Sequence, residues 1–255
     1  MMQLDSSQKT AKKMTRIRAT SISSKVSPWL ISLLHPLARY VVLPTYFESV
    51  WVTGQENLPK TGPAILAPTH RSRWDPILIS HLAGRSVTGR DLHFMTTATE
   101  MKGIQGWFVR RLGGFPVDLS HPGIGSLRHG IELLNEGKMV TIFPEGGIFH
   151  KETVPRLKPG LARLALNAES AQPGLNIHIV PVSIHYSTLK AKLGCDVRVN
   201  IGAPISVGSY LQDSVKQGAK QLTADLHNTL EDLYEACGEF NSSDLLHCKN
   251  PSGSY

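Results

Sequence analysis

Residues 62–82 read GPAILAPTHRSRWDPILISHL, and the organisation of the chain can be read outward from them. Ala64–Ala67 is a short apolar run set between prolines, the pattern of a strand buried on both faces. DPILISHL reads as a helix start, with Asp75 at the N-cap and Pro76 at the first helical position. The connection, THRSRWDP at residues 69–76, carries His70 and Asp75 five residues apart. Within one helix they would lie about 140° apart and could not meet. A loop at the end of a strand can fold back and bring imidazole to carboxylate. In such a pair the carboxylate fixes the ring tautomer and stabilises the imidazolium, leaving the second nitrogen to take a proton from a hydroxyl. A plainer account stands beside it: Asp before Pro is ordinary capping, and a lone loop histidine is commonly structural. No G-x-S-x-G elbow supplies a nucleophile, so the hydroxyl to be activated belongs to a substrate.

From Val52 onward short β-rich runs alternate with helical spacing, as in an α/β domain. The candidate strands are Ala64–Ala67, Leu92–Thr97, Met139–Phe143, Ile177–Ile184 and Val197–Ile201. Ile124–Asn135 and Leu161–Ala168 carry helical apolar spacing. Val215, Ala219, Leu222, Leu226, Leu230, Leu233 and Cys237 step by three or four, one face of a long closing helix. The expected division is a basic flexible tail (1–25), a membrane-contacting helical segment (26–50), an α/β domain (51–240) and a polar flexible end (241–255).

At 255 residues and 41% apolar composition the chain can bury one substantial core. Cysteines 195, 237 and 248 form no C-x-x-C pair, which predicts a reduced compartment without a disulfide framework or structural zinc. The histidines include no i, i+3 or i, i+4 pair, so no metal site is expected. Walker-type and dinucleotide-binding loops are missing too. The net charge of +7 is concentrated at the start, where Lys9, Lys12, Lys13, Arg16, Arg18 and Lys25 face Asp5 alone. A nucleic-acid binder spreads its basic stripe over the folded domain, so nucleic acid is not the expected partner. A basic tail beside an apolar segment suits an anionic membrane surface, although a solvated tail or a transit peptide has the same composition. SPWLISLLHPLARYVVLPTYF, residues 27–47, is interrupted by Pro36, Pro44, His35 and Arg39, too often for the ~20 apolar residues of a spanning helix. Its Trp29, Tyr40, Tyr46 and Phe47 are residue types that settle at a lipid–water boundary. Short interfacial helices, or a hairpin packed on the domain, are the expectation.

Three further stretches follow in order: LGGFPVD (112–118), TIFPEGG (141–147) and IVPVSI (179–184). Each joins a buried run to Gly or Pro, at the strand ends where α/β sheets bind ligands. With THRSRWDP, and over residues ~50–205, they resemble the membrane-associated glycerolipid acyltransferases typified by 1-acylglycerol-3-phosphate acyltransferase. The resemblance implies a mixed sheet flanked by helices, preceded by a short interfacial helical segment. It implies His70 as general base and Asp75 as its orienting partner. Glu145 and Gly146 of FPEGG inherit a part in binding the acceptor, and Pro181 of VPVSI is linked to the acyl-donor side. LKPGLARLA (157–165) is similar to the basic stretch that follows the family's F-P-E-G block.

Two departures bear on the acceptor. Leu119 and Gly147–Ile148–Phe149 stand where the family usually carries arginines that clamp a phosphate. Arg71, Arg73, His150, Lys151, Arg156 and Lys158 are the cations near enough in sequence to substitute, a guanidinium matching phosphate through its bidentate fork; each is also ordinary surface charge. The implied partners are a lysophospholipid, an acyl-CoA or acyl carrier protein as co-substrate, and a membrane surface, with no resident cofactor or metal. The expected location is peripheral, on the cytoplasmic face. An acceptor without a phosphate, or a catalytically silent membrane-binding scaffold, are the alternatives.

Overall fold

A computed structural model describes residues 24–117, 124–212 and 214–238. The expected flexible tails, together with Asp118 and Leu119, lie almost wholly outside the described residues.

The chain enters through a continuous helical path. Helix α1 (Pro28–Leu37) runs into a π-helical turn at Ala38–Val42 and then α2 (Leu43–Tyr46). Pro44 has no N–H for the regular ladder and would crowd the carbonyl four residues back. The wide turn absorbs this, with Leu43 N–H bonding the Ala38 carbonyl five residues earlier. Leu30 and Leu43 point inward, whereas Trp29, Leu33, Leu37, Tyr40 and Val41 are exposed. No helix among the described residues is long and apolar enough to cross a membrane.

Strand β1 (Phe47–Thr53) follows directly. The helical segment expected to reach residue 50 therefore stops at Tyr46, because Phe47 is buried among the rings of Tyr46, Trp74 and Tyr186. After β2 (Ala64–Pro68) come α3 (Asp75–Ala83), α4 (Arg85–Thr88), β3 (Leu92–Thr97), α5 (Gly103–Arg111) and β4 (Gly114–Val117). Then follow α6 (Ile124–Asn135), β5 (Met139–Thr141), α7 (Gly160–Ala171), β6 (His178–Tyr186), β7 (Cys195–Ile201), β8 (Ile205–Ser206) and α8 (Val215–Gly238).

The strands form one mixed sheet in the order β1-β7-β6-β2-β5-β3-β4, with β8 also paired to β6. β2 to β6 are mutually parallel; β7 and β8 run against β6, and β1 follows β7. β2 has parallel neighbours on both sides, so all five of its residues are buried. Alternate residues serve opposite layers. Ile65 and Ala67 meet α6, α7 and α8 on one face, while Ala64 and Leu66 meet α3 and Leu43 of α2 on the other. The β3–α5–β4 crossover advances along the sheet in the same direction as β2–α3–β3, so right-handedness places α5 in the α3 layer. The stripe expected on α8 is observed for Ala219, Leu222, Leu226 and Leu230, after which Tyr234 rather than Leu233 is the buried residue.

Candidate active site

The neighbouring parallel strands β2 and β5 end on the same side of the sheet, where the loops that follow them carry His70, Asp75 and Glu145. His70 Nδ1 lies 2.8 Å from Asp75 Oδ2. Residues 69–74 are not helical, which lets the two side chains meet across a spacing that a helix would forbid. Asp75 was expected to cap α3. It is instead the first helical residue, and its side chain turns backward, where Oδ2 accepts the backbone N–H groups of Arg71 (2.6 Å) and Ser72 (2.8 Å). Its other oxygen accepts the hydroxyl of Tyr186 at 2.6 Å. Asp75 is thus fully buried, with four donors satisfying its two oxygens away from water.

With Nδ1 donating to Asp75, Nε2 carries the lone pair. The ring stacks on Phe143 with centroids 4.0 Å apart and keeps 17% of its side chain exposed. A held base with one free nitrogen at an accessible edge can remove a proton from a bound hydroxyl.

The FPEGG loop after β5 is tied to this loop from below. Arg71 Nη1 donates to both oxygens of Glu145, at 2.8 and 2.7 Å. Arg71 also reaches the Thr153 carbonyl at 3.4 Å and lies over the Tyr234 ring at 5.0 Å. The Phe149 N–H bonds the His70 carbonyl at 2.9 Å. Burial pushes the Glu145 carboxyl up, to about 7, against the opposing pull of the Arg71 guanidinium.

A family model described as Acyltransferase matches residues 49–185, more than half of the chain and every residue of this constellation except Tyr186 and Tyr234. The chain belongs to the acyltransferase family. It is 36% identical over 188 residues to the 1-acyl-sn-glycerol-3-phosphate acyltransferase of Bacillus subtilis, spanning 72% of this chain and 87% of that protein. A second protein of that name, from Streptococcus pneumoniae, is 27% identical over 146 residues, 56% of this chain and 50% of its own length. The crystal structure of the 1-acyl-sn-glycerophosphate acyltransferase PlsC from Thermotoga maritima superposes with a TM-score of 0.64 at 21% identity, covering 84% and 82% of the two chains. That likeness is one of fold: the mixed sheet flanked by helices, with an N-terminal helical segment.

The remaining acceptor candidates of this acyltransferase divide by position. Arg71 is 3% exposed and engaged by Glu145 through Nη1, while its Nε is left as a buried donor without a partner among the described residues and its side chain lines a small cavity with Lys151, His185, Tyr186 and Tyr234. Arg73, two residues on, is 76% exposed, 3.4 Å from Glu100. Lys158 folds over Gly146, whose φ of +74° favours glycine; a Cβ there would lie 2.8 Å from the lysine's Cδ and Cε. The backbone fixes this arrangement, with Lys158 N–H on the Pro144 carbonyl at 2.8 Å. Arg156 is also exposed.

Pro181 is buried within β6 rather than at its end. There the antiparallel partner changes from β8, which pairs His178 and Ile179, to β7, which begins opposite Val182. Its carbonyl accepts Gly202 N–H at 2.9 Å, and the missing proline N–H falls in the gap on that side.

Sequence reasoning missed Tyr186 and Phe143 as parts of the site. Burial and the neighbouring Asp75 raise the Tyr186 hydroxyl well above its ordinary range, so it stays a donor. Tyr186 lies 111 residues from Asp75, and only the parallel pairing of β2 with β6 brings the two together. Among the described residues no group of three or more His, Cys, Asp or Glu could hold a metal ion.

Proposed function

We propose that this acyltransferase moves a fatty-acyl group from an acyl thioester, carried by coenzyme A or acyl carrier protein, to the free hydroxyl of 1-acylglycerol-3-phosphate, giving phosphatidate. The single observation that carries this reading is the His70–Asp75 pair, with Nδ1 held at 2.8 Å and Nε2 left open at the sheet's edge. The named substrates of the Bacillus relative support the choice of acceptor.

His70 Nε2 takes the proton of the acceptor hydroxyl as its oxygen attacks the thioester carbonyl carbon. Asp75 stabilises the imidazolium. The tetrahedral intermediate collapses, the C–S bond breaks, and the thiolate leaves as thiol by taking the proton back from His70. Arg71 and Glu145 work as a tie that sets the FPEGG loop beneath the base, and Lys158, with Arg156 and Arg73, is assigned to the acceptor phosphate. The enzyme works peripherally at a membrane surface. The exposed apolar face of residues 28–46 lies on lipid, and Tyr46, in tilted ring contact with Trp74 at 4.1 Å, joins that face to the catalytic loop.

A second reading, an acceptor without a phosphate, is favoured by Leu119 and Gly147, which stand where cations are usual. One experiment separates the two. Purified wild type and His70→Ala receive a labelled acyl thioester with either lysophosphatidate or a monoacylglycerol. Transfer to lysophosphatidate, reduced at least a thousand-fold in the variant, is expected. Transfer by wild type to the monoacylglycerol alone would replace the acceptor. Equal turnover by the two proteins would remove His70 from the mechanism.

A further inference from the structure

A cavity of about 490 Å³ lies away from the catalytic pair and shares no lining residue with it: Lys25, Met101, Gly103, Trp107, Arg110 and Arg111. Three cations and no acid face it. Among the described residues no carboxylate pairs with any of the three; Arg110 reaches only the Met101 carbonyl, at 3.4 Å. Arg111 lies 5.0 Å over the Trp107 ring, which covers the apolar face of the guanidinium and leaves its N–H edge for an anion.

Beside the cavity, α5 turns three large apolar side chains into solvent: Ile104, 80% exposed, with Trp107 and Phe108. The start of the helical path is bonded to the same place, Lys25 N–H to the Arg110 carbonyl at 3.3 Å and Ser27 N–H to that of Arg111 at 2.9 Å. These bonds tie the start of α1, which carries the exposed Trp29 and Leu33, to the C-terminal end of α5. Cations set among exposed aromatic and aliphatic side chains are the composition of a lipid interface.

We propose that the cavity between Lys25 and α5 is a seat for the phosphate of an anionic phospholipid, with Ile104, Trp107 and Phe108 inserted among the neighbouring chains. This rests on the reading of the chain as an enzyme of a lipid surface, and adds to it a second contact element and a defined headgroup site apart from the acceptor. The chain's own beginning is excluded as occupant by charge, since Lys9, Lys12, Lys13, Arg16 and Arg18 precede the cavity against Asp5 alone. A soluble anion would satisfy the cations and leave the apolar ridge unexplained.

The test is co-sedimentation of the full chain with phosphatidylcholine vesicles, pure or doped with phosphatidylglycerol. Wild type is compared with Arg110→Gln/Arg111→Gln and, separately, Trp29→Ser/Tyr40→Ser. At about 5-fold per basic residue near an anionic surface, the double arginine variant should bind doped vesicles roughly 30-fold more weakly. Its melting temperature, its binding to pure phosphatidylcholine and its turnover of detergent-dispersed substrate should be unchanged. Wild-type and arginine-variant binding that are equal on doped vesicles would overturn the site while leaving the lipid-surface reading in place. Binding of inorganic phosphate by wild type that the arginine variant loses, with the two proteins binding doped vesicles equally, would make it a soluble-anion site, also overturning the proposal. If wild type ignores both vesicles while α1 and α5 variants behave alike, the lipid-surface reading fails with it.

Discussion

Asp75 and Glu145 are both buried carboxylates just beyond the ends of neighbouring parallel strands, but they are held in opposite ways. Asp75 receives two backbone N–H groups, a tyrosine hydroxyl and the His70 ring, four donors spread over both oxygens. Glu145 relies chiefly on one guanidinium, and its carboxyl is pushed up to about 7. Desolvation is offset in the first case by many small dipoles fixed in the fold, and in the second by a single opposite charge. The first arrangement suits a group that must stay fixed in direction. The second suits a tie between two loops, sensitive to the loss of its one partner.

The comparison breaks most sharply at Asp75→Asn. An amide offers one acceptor oxygen, so the backbone bonds can persist while the His70 tautomer is lost. A fall in kcat on the order of 10³–10⁴-fold is expected, with a melting temperature within a few degrees of wild type. Wild-type turnover in this variant would show that Asp75 does not orient the base.

Removing Arg71 tests the other carboxylate. Arg71→Met leaves Glu145 buried without its counter-charge and should destabilise the fold by about 3–5 kcal/mol, a drop of roughly 10 °C in melting temperature. Arg71→Met/Glu145→Leu replaces the pair by apolar groups of similar volume and should recover most of that loss. A double variant as unstable as the single one would mean that the tie is valued for packing rather than charge.

The same pair gives the stability a pH dependence. The Glu145 carboxyl binds a proton in the folded state up to about 7, while in the unfolded chain it loses it near 4.5. The folded form thus holds more protons between those values, and its stability falls as pH rises from 4.5 to about 7, by on the order of 3 kcal/mol. Denaturant titrations across that window should show the slope in wild type, its extension to higher pH in Arg71→Met and its disappearance in Glu145→Gln. A flat wild-type profile would indicate that Arg71 holds Glu145 ionised throughout.

How much of this was legible in sequence follows from where the information lies. Leu92–Thr97 and Ile124–Asn135 have the bounds their apolar spacing indicates, because core burial writes its period directly into the residues. β1 and α5 were not legible. β1 is an edge strand whose residues are mostly half-buried, so its alternation is weak. α5 contains Gly103 and Gly106, residues that read as turn, and Gly106 is there because any Cβ would lie 2.1 Å from the Met101 backbone. The His70–Asp75 pair could be found since both ends sit in one short stretch. Arg71 and Arg73 could not be told apart, although one is buried and the other faces solvent, because a loop has no period to reveal which way a side chain turns. The partners that fill out the site, Glu145 and Tyr186, stand 74 and 111 residues from theirs. Only the sheet order unites them.

The smallest effect sharpens the comparison most finely. Tyr186→Phe removes one donor from Asp75 and leaves three, in a cluster where Phe47 already packs 6.0 Å from the ring and can support the phenyl group. One hydrogen bond to a charged group contributes about 1.5 kcal/mol, so kcat should fall by roughly 10-fold with KM nearly unchanged. A merely structural tyrosine would lower the melting temperature and leave kcat in place. A fall in kcat that the small loss of stability does not account for means that the tyrosine acts through Asp75, and the many-donor design of that carboxylate is a setting of the base rather than a consequence of burial.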